Sequence, residues 1–229
     1  MKKNAWLYYS TLNIIALFSG IFLSIYKERP SLSLVFVITI LLLFLYSKYF
    51  KRVPLVGNII VSVIITFVIW IVYLFDFNGG NNSSGFFSFL SAIFKSLFLY
   101  MLVVYYSVFS FTTTLIREII KDIEDINGDY KMKMKTLPII LGKKRARNIA
   151  IFFSTILAFF LLISIKGFAK NTDTQILAWY LSILICIPML FFIYKLWNAK
   201  TKKQYHFLSN LMKLIMLLGI LSMGLFKFM

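Results

Sequence analysis

Residues 117–144 read REIIKDIEDINGDYKMKMKTLPIILGKK and follow a long apolar run. Five of the chain's eight acidic residues fall within twelve positions of this stretch, namely Glu118, Asp122, Glu124, Asp125 and Asp129. On a helix, all of them except Glu124 would share one face within about three turns. Carboxylates this close repel one another, and hard divalent cations compensate clustered carboxylate oxygens better than flexible lysines do. The spacing therefore predicts a magnesium site on this face.

The composition predicts an integral membrane protein. Hydrophobic residues make up 60% of the 229 residues, charged residues only 14%, and the mean hydropathy is +0.85. A helix needs about 20 apolar residues to cross the hydrocarbon core of a bilayer. Seven such stretches are present, at 5–26, 31–47, 55–75, 91–115, 146–165, 175–197 and 206–227. We therefore expect an all-α, polytopic transmembrane bundle that forms a single integral membrane domain over residues 1–229.

The basic residues predict the orientation of this bundle. With the acidic cluster in the cytoplasm, 18 of the 25 lysines and arginines fall on the cytoplasmic side, as basic loops usually do. Lys213 falls inside a predicted span, where snorkelling to an interface is the simplest interpretation. The cations are scattered over short loops between apolar spans, which favours membrane lipids and not nucleic acid as partners.

The sequence predicts simpler roles for the other polar residues. The lone histidine, His206, sits beside Tyr205 where the last span begins and is expected to be interfacial. Glu124 is expected to pair with a nearby cation. Asn58, at the start of the third span, is expected to hydrogen-bond between helices or, as a weaker alternative, to contact an acceptor substrate. The single cysteine excludes a disulfide within one chain.

The acidic cluster is followed directly by a basic segment. Seven cations lie between Lys131 and Arg147, and metal-binding acids beside a basic loop suit a pyrophosphate group. The chain has no Walker-type phosphate loop and no nucleophile elbow. Taken together, residues 118–145 are expected to form a cytoplasmic diphosphate-binding segment.

This stretch resembles the second aspartate-rich motif of UbiA-type intramembrane prenyltransferases. The matching residues are the three aspartates, preceded by Arg117 and Glu118 and followed by KTLP at 135–138 and Gly142. The resemblance extends to LYSKYFKR at 45–52 and PLVGN at 54–58, which are similar to the family's basic segment and the span that follows it.

The resemblance implies a magnesium-dependent enzyme of a bacterial or archaeal cell membrane that transfers a prenyl group from a polyprenyl diphosphate. Asp122, Asp125 and Asp129 would be the catalytic, magnesium-binding residues, and Arg117, Lys135 and Lys51 would hold the diphosphate. The motif looks more like that of members that prenylate geranylgeranylglyceryl phosphate. Enzymes that prenylate aromatic quinone precursors are the alternative.

The chain departs from the family in one respect. Family members usually have nine spans and a first motif of the type Asn-Asp-x-x-Asp-x-x-x-Asp after the second span, and this motif is absent from the sequence. The seven predicted spans correspond to the family's nine without the first two. We therefore expect that the chain is shortened at its N-terminus and that its activity in isolation is doubtful. Two hypotheses correspond to this expectation. The chain is half of a split enzyme, with a separately encoded N-terminal fragment as its partner, or it is a non-catalytic membrane remnant.

Overall fold

The computed structural model describes residues 2–28, 30–50, 53–76 and 86–228, and every regular element within these ranges is helical. The α-helices are α1 (Lys2–Tyr26), α2 (Ser33–Lys48), α3 (Val56–Asp76), α4 (Phe86–Lys131), α5 (Leu137–Leu141), α6 (Lys143–Phe168), α7 (Gln175–Tyr180), α8 (Ile187–Asn198) and α9 (Lys202–Ser222). A π-helical segment, Leu181–Cys186, joins α7 to α8, and 3-10 turns occur at Pro30–Leu32, Thr172–Thr174 and Met223–Phe228.

The predicted membrane spans correspond to helices. Among the described residues, six helical stretches are long and apolar enough to cross a bilayer: Leu7–Tyr26, Val56–Phe75, Leu99–Lys131, Lys143–Phe168, Thr172–Asn198 and Lys202–Phe226. The seventh prediction, 31–47, corresponds to α2, which has only 16 residues. Together with the 3-10 turn before it, α2 would reach about 30 Å. The predicted all-α membrane bundle is confirmed, with one span shorter than expected.

Helix α4 is longer than the span predicted at 91–115. It continues through residues 116–131 without a break and therefore carries the whole acidic cluster. The extension is helical because it contains no proline and because apolar side chains repeat at helical spacing. Ile116, Ile119, Ile120 and Ile123 are at most 2% exposed and form its buried face.

The C-terminus of α4 is closed by a Schellman motif. Lys133 adopts a left-handed conformation with φ of 54°. Its N–H donates to the Tyr130 carbonyl at 3.1 Å, and the Met134 N–H donates to the Asp129 carbonyl at 2.9 Å. Glycine is the usual residue at this position, because a side chain is strained there. The turn leads the basic segment away from the carboxylates' helix toward α5.

The chain forms two compact units, the first made of Met1–Tyr49 and Val63–Ser107 and the second of Phe50–Ser62 and Val108–Met229. In the first unit α1 packs on α2, where a side chain at Gly20 would collide with the Phe36 ring. The Phe36 and Phe75 rings meet edge to face with centroids 5.9 Å apart. That the two units form one membrane domain stays a prediction.

The second unit contains the main hydrophobic core. Residues of α4, α6, α7, the π-helical segment, α8 and α9 supply its fully buried side chains, among them Phe192, Met189 and Leu161. At the junction of α8 and α9, the buried carbonyl of Ala199 accepts hydrogen bonds from Arg147 Nη1 and from the Tyr205 hydroxyl, each at 3.0 Å. These bonds connect the beginnings of α6 and α9 to the end of α8.

Candidate metal and diphosphate site

The predicted carboxylate face exists, and it lies in the second unit on the last turns of α4. Asp122 is at its centre and is partly buried. Asn58, in the first turn of α3, donates a hydrogen bond from Nδ2 to Asp122 Oδ2 at 2.9 Å. The predicted interhelical role of Asn58 is therefore present, and its partner is the central residue of the acidic motif.

The surroundings of Asp122 are negatively charged. Glu118, Asp125 and Asp129 all lie near enough to repel its negative charge. In the described ranges no lysine, arginine or histidine nitrogen lies within 4.0 Å of the Asp122 carboxylate. Asp125 has an exposed, distant partner, Lys202, at 3.9 Å. Such a cluster is expected to attract a cation.

The donor set fits a magnesium ion that is completed by substrate. Within the part of the chain that the structure describes, no group of three or more acidic, histidine or cysteine side chains converges closely enough to form a finished metal cage. Magnesium rarely uses such a cage, and it is usually held by one or two carboxylates together with waters and substrate phosphates. Partly buried, mutually repelling carboxylate oxygens along one helix face are suitable ligands for this arrangement.

The three cations predicted to bind the diphosphate have different surroundings. The Arg117 side chain pairs with its neighbour Glu118, and its Nε is buried without a hydrogen-bond partner among the described residues. Lys135 is exposed in the turn between α4 and α5. Lys51 lies outside the described residues. Binding of diphosphate by these three cations stays a prediction.

A second polar group runs from α4 along α9, and sequence reasoning missed it. Glu124 Oε1 lies 2.8 Å from His206 Nδ1, so the partner of Glu124 is a histidine and not the nearby cation predicted from the sequence. His206 Nε2 lies 3.2 Å from Asn210 Nδ2, and Lys213 Nζ donates to Asn210 Oδ1 at 3.2 Å. The i, i+4, i+7 spacing of His206, Asn210 and Lys213 was the available signal. We call Glu124, His206, Asn210 and Lys213 the α9 polar chain.

The chain is similar to known proteins along most of its length. The model of the UbiA prenyltransferase family matches residues 2–217. The digeranylgeranylglyceryl phosphate synthase of Methanosphaera stadtmanae is 31% identical over 94% of this chain and 69% of its own length. The enzyme of the same name from Methanopyrus kandleri is 28% identical over 79% of this chain and 57% of its own length.

One solved structure is also similar to this chain. It comes from a study of digeranylgeranylglyceryl phosphate synthase in membranes, and it superposes with a TM-score of 0.62 at 28% identity. The match covers 93% of this chain and 65% of that one. The chain thus spans between about half and two thirds of the length of these proteins. The match along nearly its whole length shows that this chain belongs to the UbiA prenyltransferase family.

Proposed function

We propose that this chain holds a polyprenyl diphosphate through magnesium and takes part in transferring the prenyl group to a lipid acceptor, geranylgeranylglyceryl phosphate. The family assignment supports the reaction class. The names of the similar archaeal proteins support the glyceryl phosphate acceptor over the aromatic alternative. The concentration of basic residues beside the acidic motif supports a cytoplasmic position for the diphosphate.

The observation that carries the proposal is the environment of the Asp122 carboxylate. Its carboxylate is partly buried, accepts a hydrogen bond from Asn58 and is repelled by three further carboxylates of the same helix face. Prenyltransferases of the UbiA family are generally metal-dependent. Asp122, Asp125 and Asp129 would hold magnesium, and a bound magnesium ion would stabilise the negative charge of the departing diphosphate.

The protein's own residues have distinct tasks in this proposal. Asn58 orients one oxygen of Asp122, so that the other is available to a ligand. Lys135, with Arg117 and Lys51, would bind phosphate oxygens on the basic side of the motif. As the allylic C–O bond breaks, its electron pair leaves with the diphosphate. The acceptor hydroxyl oxygen forms the new C–O bond to the prenyl group and loses its proton to the solvent. The diphosphate is released as the second product.

Binding tests the proposal without requiring turnover. The whole chain in nanodiscs should bind geranylgeranyl diphosphate in a magnesium-dependent manner. Asp122→Asn preserves the size of the side chain but removes its charge, so we expect it to weaken this binding at least tenfold. Asp173→Asn, at an exposed turn before α7, is the matched control and should bind like the wild type. Equal binding by the Asp122 variant and the control would disprove the proposed site.

A further inference from the structure

Lys213 occupies an unusual position for a cation. The last candidate span is Lys202–Phe226, a stretch of 25 residues, and Lys213 is its twelfth residue. At 1.5 Å per residue, its backbone lies about 16 Å along the helix from Lys202. A lysine near the middle of a span is costly in a bilayer, and a functional role is the alternative to the snorkelling expected from the sequence.

The structure provides this cation with a neutral partner only. Its ammonium donates to Asn210 Oδ1, and its side chain is exposed. The ion pairs found within the described ranges involve other cations, and no described carboxylate lies within 4.0 Å of Lys213. The positive charge on this face of α9 is therefore uncompensated within the described chain.

The hydrogen bonds of the α9 polar chain all run in one donor-to-acceptor direction. Lysine has only donors, so the Asn210 oxygen must face Lys213 and the amide nitrogen must face His206. That nitrogen donates to His206 Nε2, which leaves the Nδ1 hydrogen to bond Glu124. Each donor thus points toward α4, and Asn210 is held so that its oxygen orients the ammonium.

The α9 polar chain leads from the acidic cluster, at Glu124, into the span. Lys202 contacts Asp125, and His206 contacts Glu124, so the first turns of α9 lie beside the acidic motif. Helical side chains tilt toward the helix N-terminus, and the ammonium of Lys213 therefore reaches back toward that site. An anionic group held there would lie deeper in the membrane than the diphosphate.

We infer that Lys213, oriented by Asn210, binds the phosphate group of the prenyl acceptor. This inference rests on the proposed function, because it takes the acceptor to be a lipid phosphate. Charge complementarity supports it, since cationic donors bind phosphate oxygens strongly and Lys213 is a cation that the proposed diphosphate site does not use. An amphiphilic acceptor would then present its hydroxyl to the prenyl group while its phosphate rests on α9.

The test compares two lipids that differ only in the phosphate. The whole chain in phosphatidylcholine nanodiscs is titrated with geranylgeranylglyceryl phosphate and with geranylgeranylglycerol. We expect the wild type to bind the phosphate form at least tenfold more tightly. Lys213→Gln should abolish this preference without changing the affinity for the alcohol, and Lys203→Gln, an exposed lysine of the same helix, should retain it. An undiminished preference in Lys213→Gln overturns the inference.

Two further measurements separate the possible failures. Adding phosphatidylglycerol to the discs should leave the preference intact, and its disappearance would show that an ordinary phospholipid headgroup occupies Lys213, which overturns the assignment to the acceptor. Magnesium-dependent binding of geranylgeranyl diphosphate is measured on the same samples. If that binding persists while the wild type shows no phosphate preference, the inference about Lys213 fails and the diphosphate site stands. If only the diphosphate binding is absent, the proposed function fails and the phosphate site on α9 stands.

Discussion

The hydrogen bond between Asn58 and Asp122 offers a sharp energetic prediction. It joins residues 64 positions apart, at the start of α3 and near the end of α4. We expect Asn58→Ala to reduce the free energy of unfolding, because a partly buried carboxylate among other carboxylates would lose its only hydrogen-bond donor found in the described chain.

The size of the effect follows from the kind of bond. Hydrogen bonds between membrane helices average about 0.6 kcal/mol, with a maximum near 1.7. Bonds to charged groups reach about 1.5–3 kcal/mol in proteins generally. The acceptor here is a carboxylate and the distance is 2.9 Å, so we expect the upper end of the membrane range, about 1.5 kcal/mol.

A double-mutant cycle measures this energy. Asn58→Ala, Asp122→Asn and the double variant are unfolded reversibly in mixed micelles, and the interaction energy is taken from the four free energies. Asn148→Ala, at an exposed position of α6, is the control for loss of an asparagine and should show no coupling to Asp122. A coupling below about 0.5 kcal/mol between Asn58 and Asp122 would refute the reasoning, because independent sites add within that amount.

Two further predictions concern backbone positions. Lys133→Gly should raise the free energy of unfolding by about 1 kcal/mol, since it relieves a left-handed conformation, and an unchanged or lower midpoint of chemical unfolding would contradict this. Gly219→Ala should destabilise the second unit by about 1–3 kcal/mol, because the new methyl group would overlap the Phe109 ring. Gly128→Ala meets no atom within 4 Å, so in the same unfolding assay it should be neutral or slightly stabilising, and equal losses in the two variants would exclude steric overlap as the cause.

Local patterns in the sequence were sufficient to predict the helices and the carboxylate face. Hydropathy alone located the spans, because apolar runs of this length have few alternatives in a membrane. The spacing of Asp122, Asp125 and Asp129 placed them on one face as soon as α4 was helical there. Hydropathy did not predict that α4 continues past residue 115, because the charged residues of the extension lower the mean hydropathy although its buried isoleucines keep the helical period.

Contacts between distant segments were beyond the sequence patterns. Nothing local indicates that Asn58 meets Asp122, or that Glu124 meets His206 across 82 positions. Such pairs depend on how helices pack, and a polar residue near a span boundary has many possible partners. A contact between neighbours was also missed, since the pairing of Arg117 with Glu118 depends on a side-chain conformation that spacing does not determine.

The carbonyl of Ala199, with its two donors, has a further consequence for ligand binding. Arg147 and Tyr205 fix the beginnings of α6 and α9 to one backbone atom that is itself buried. The basic first turn of α6 and the polar first turns of α9 are therefore ordered before any ligand arrives. An anion that binds beside them does not need to immobilise these helices, so less of its interaction energy is lost to conformational entropy. Affinity for phosphate groups at this end of the second unit would then depend on the two hydrogen bonds that this buried carbonyl accepts.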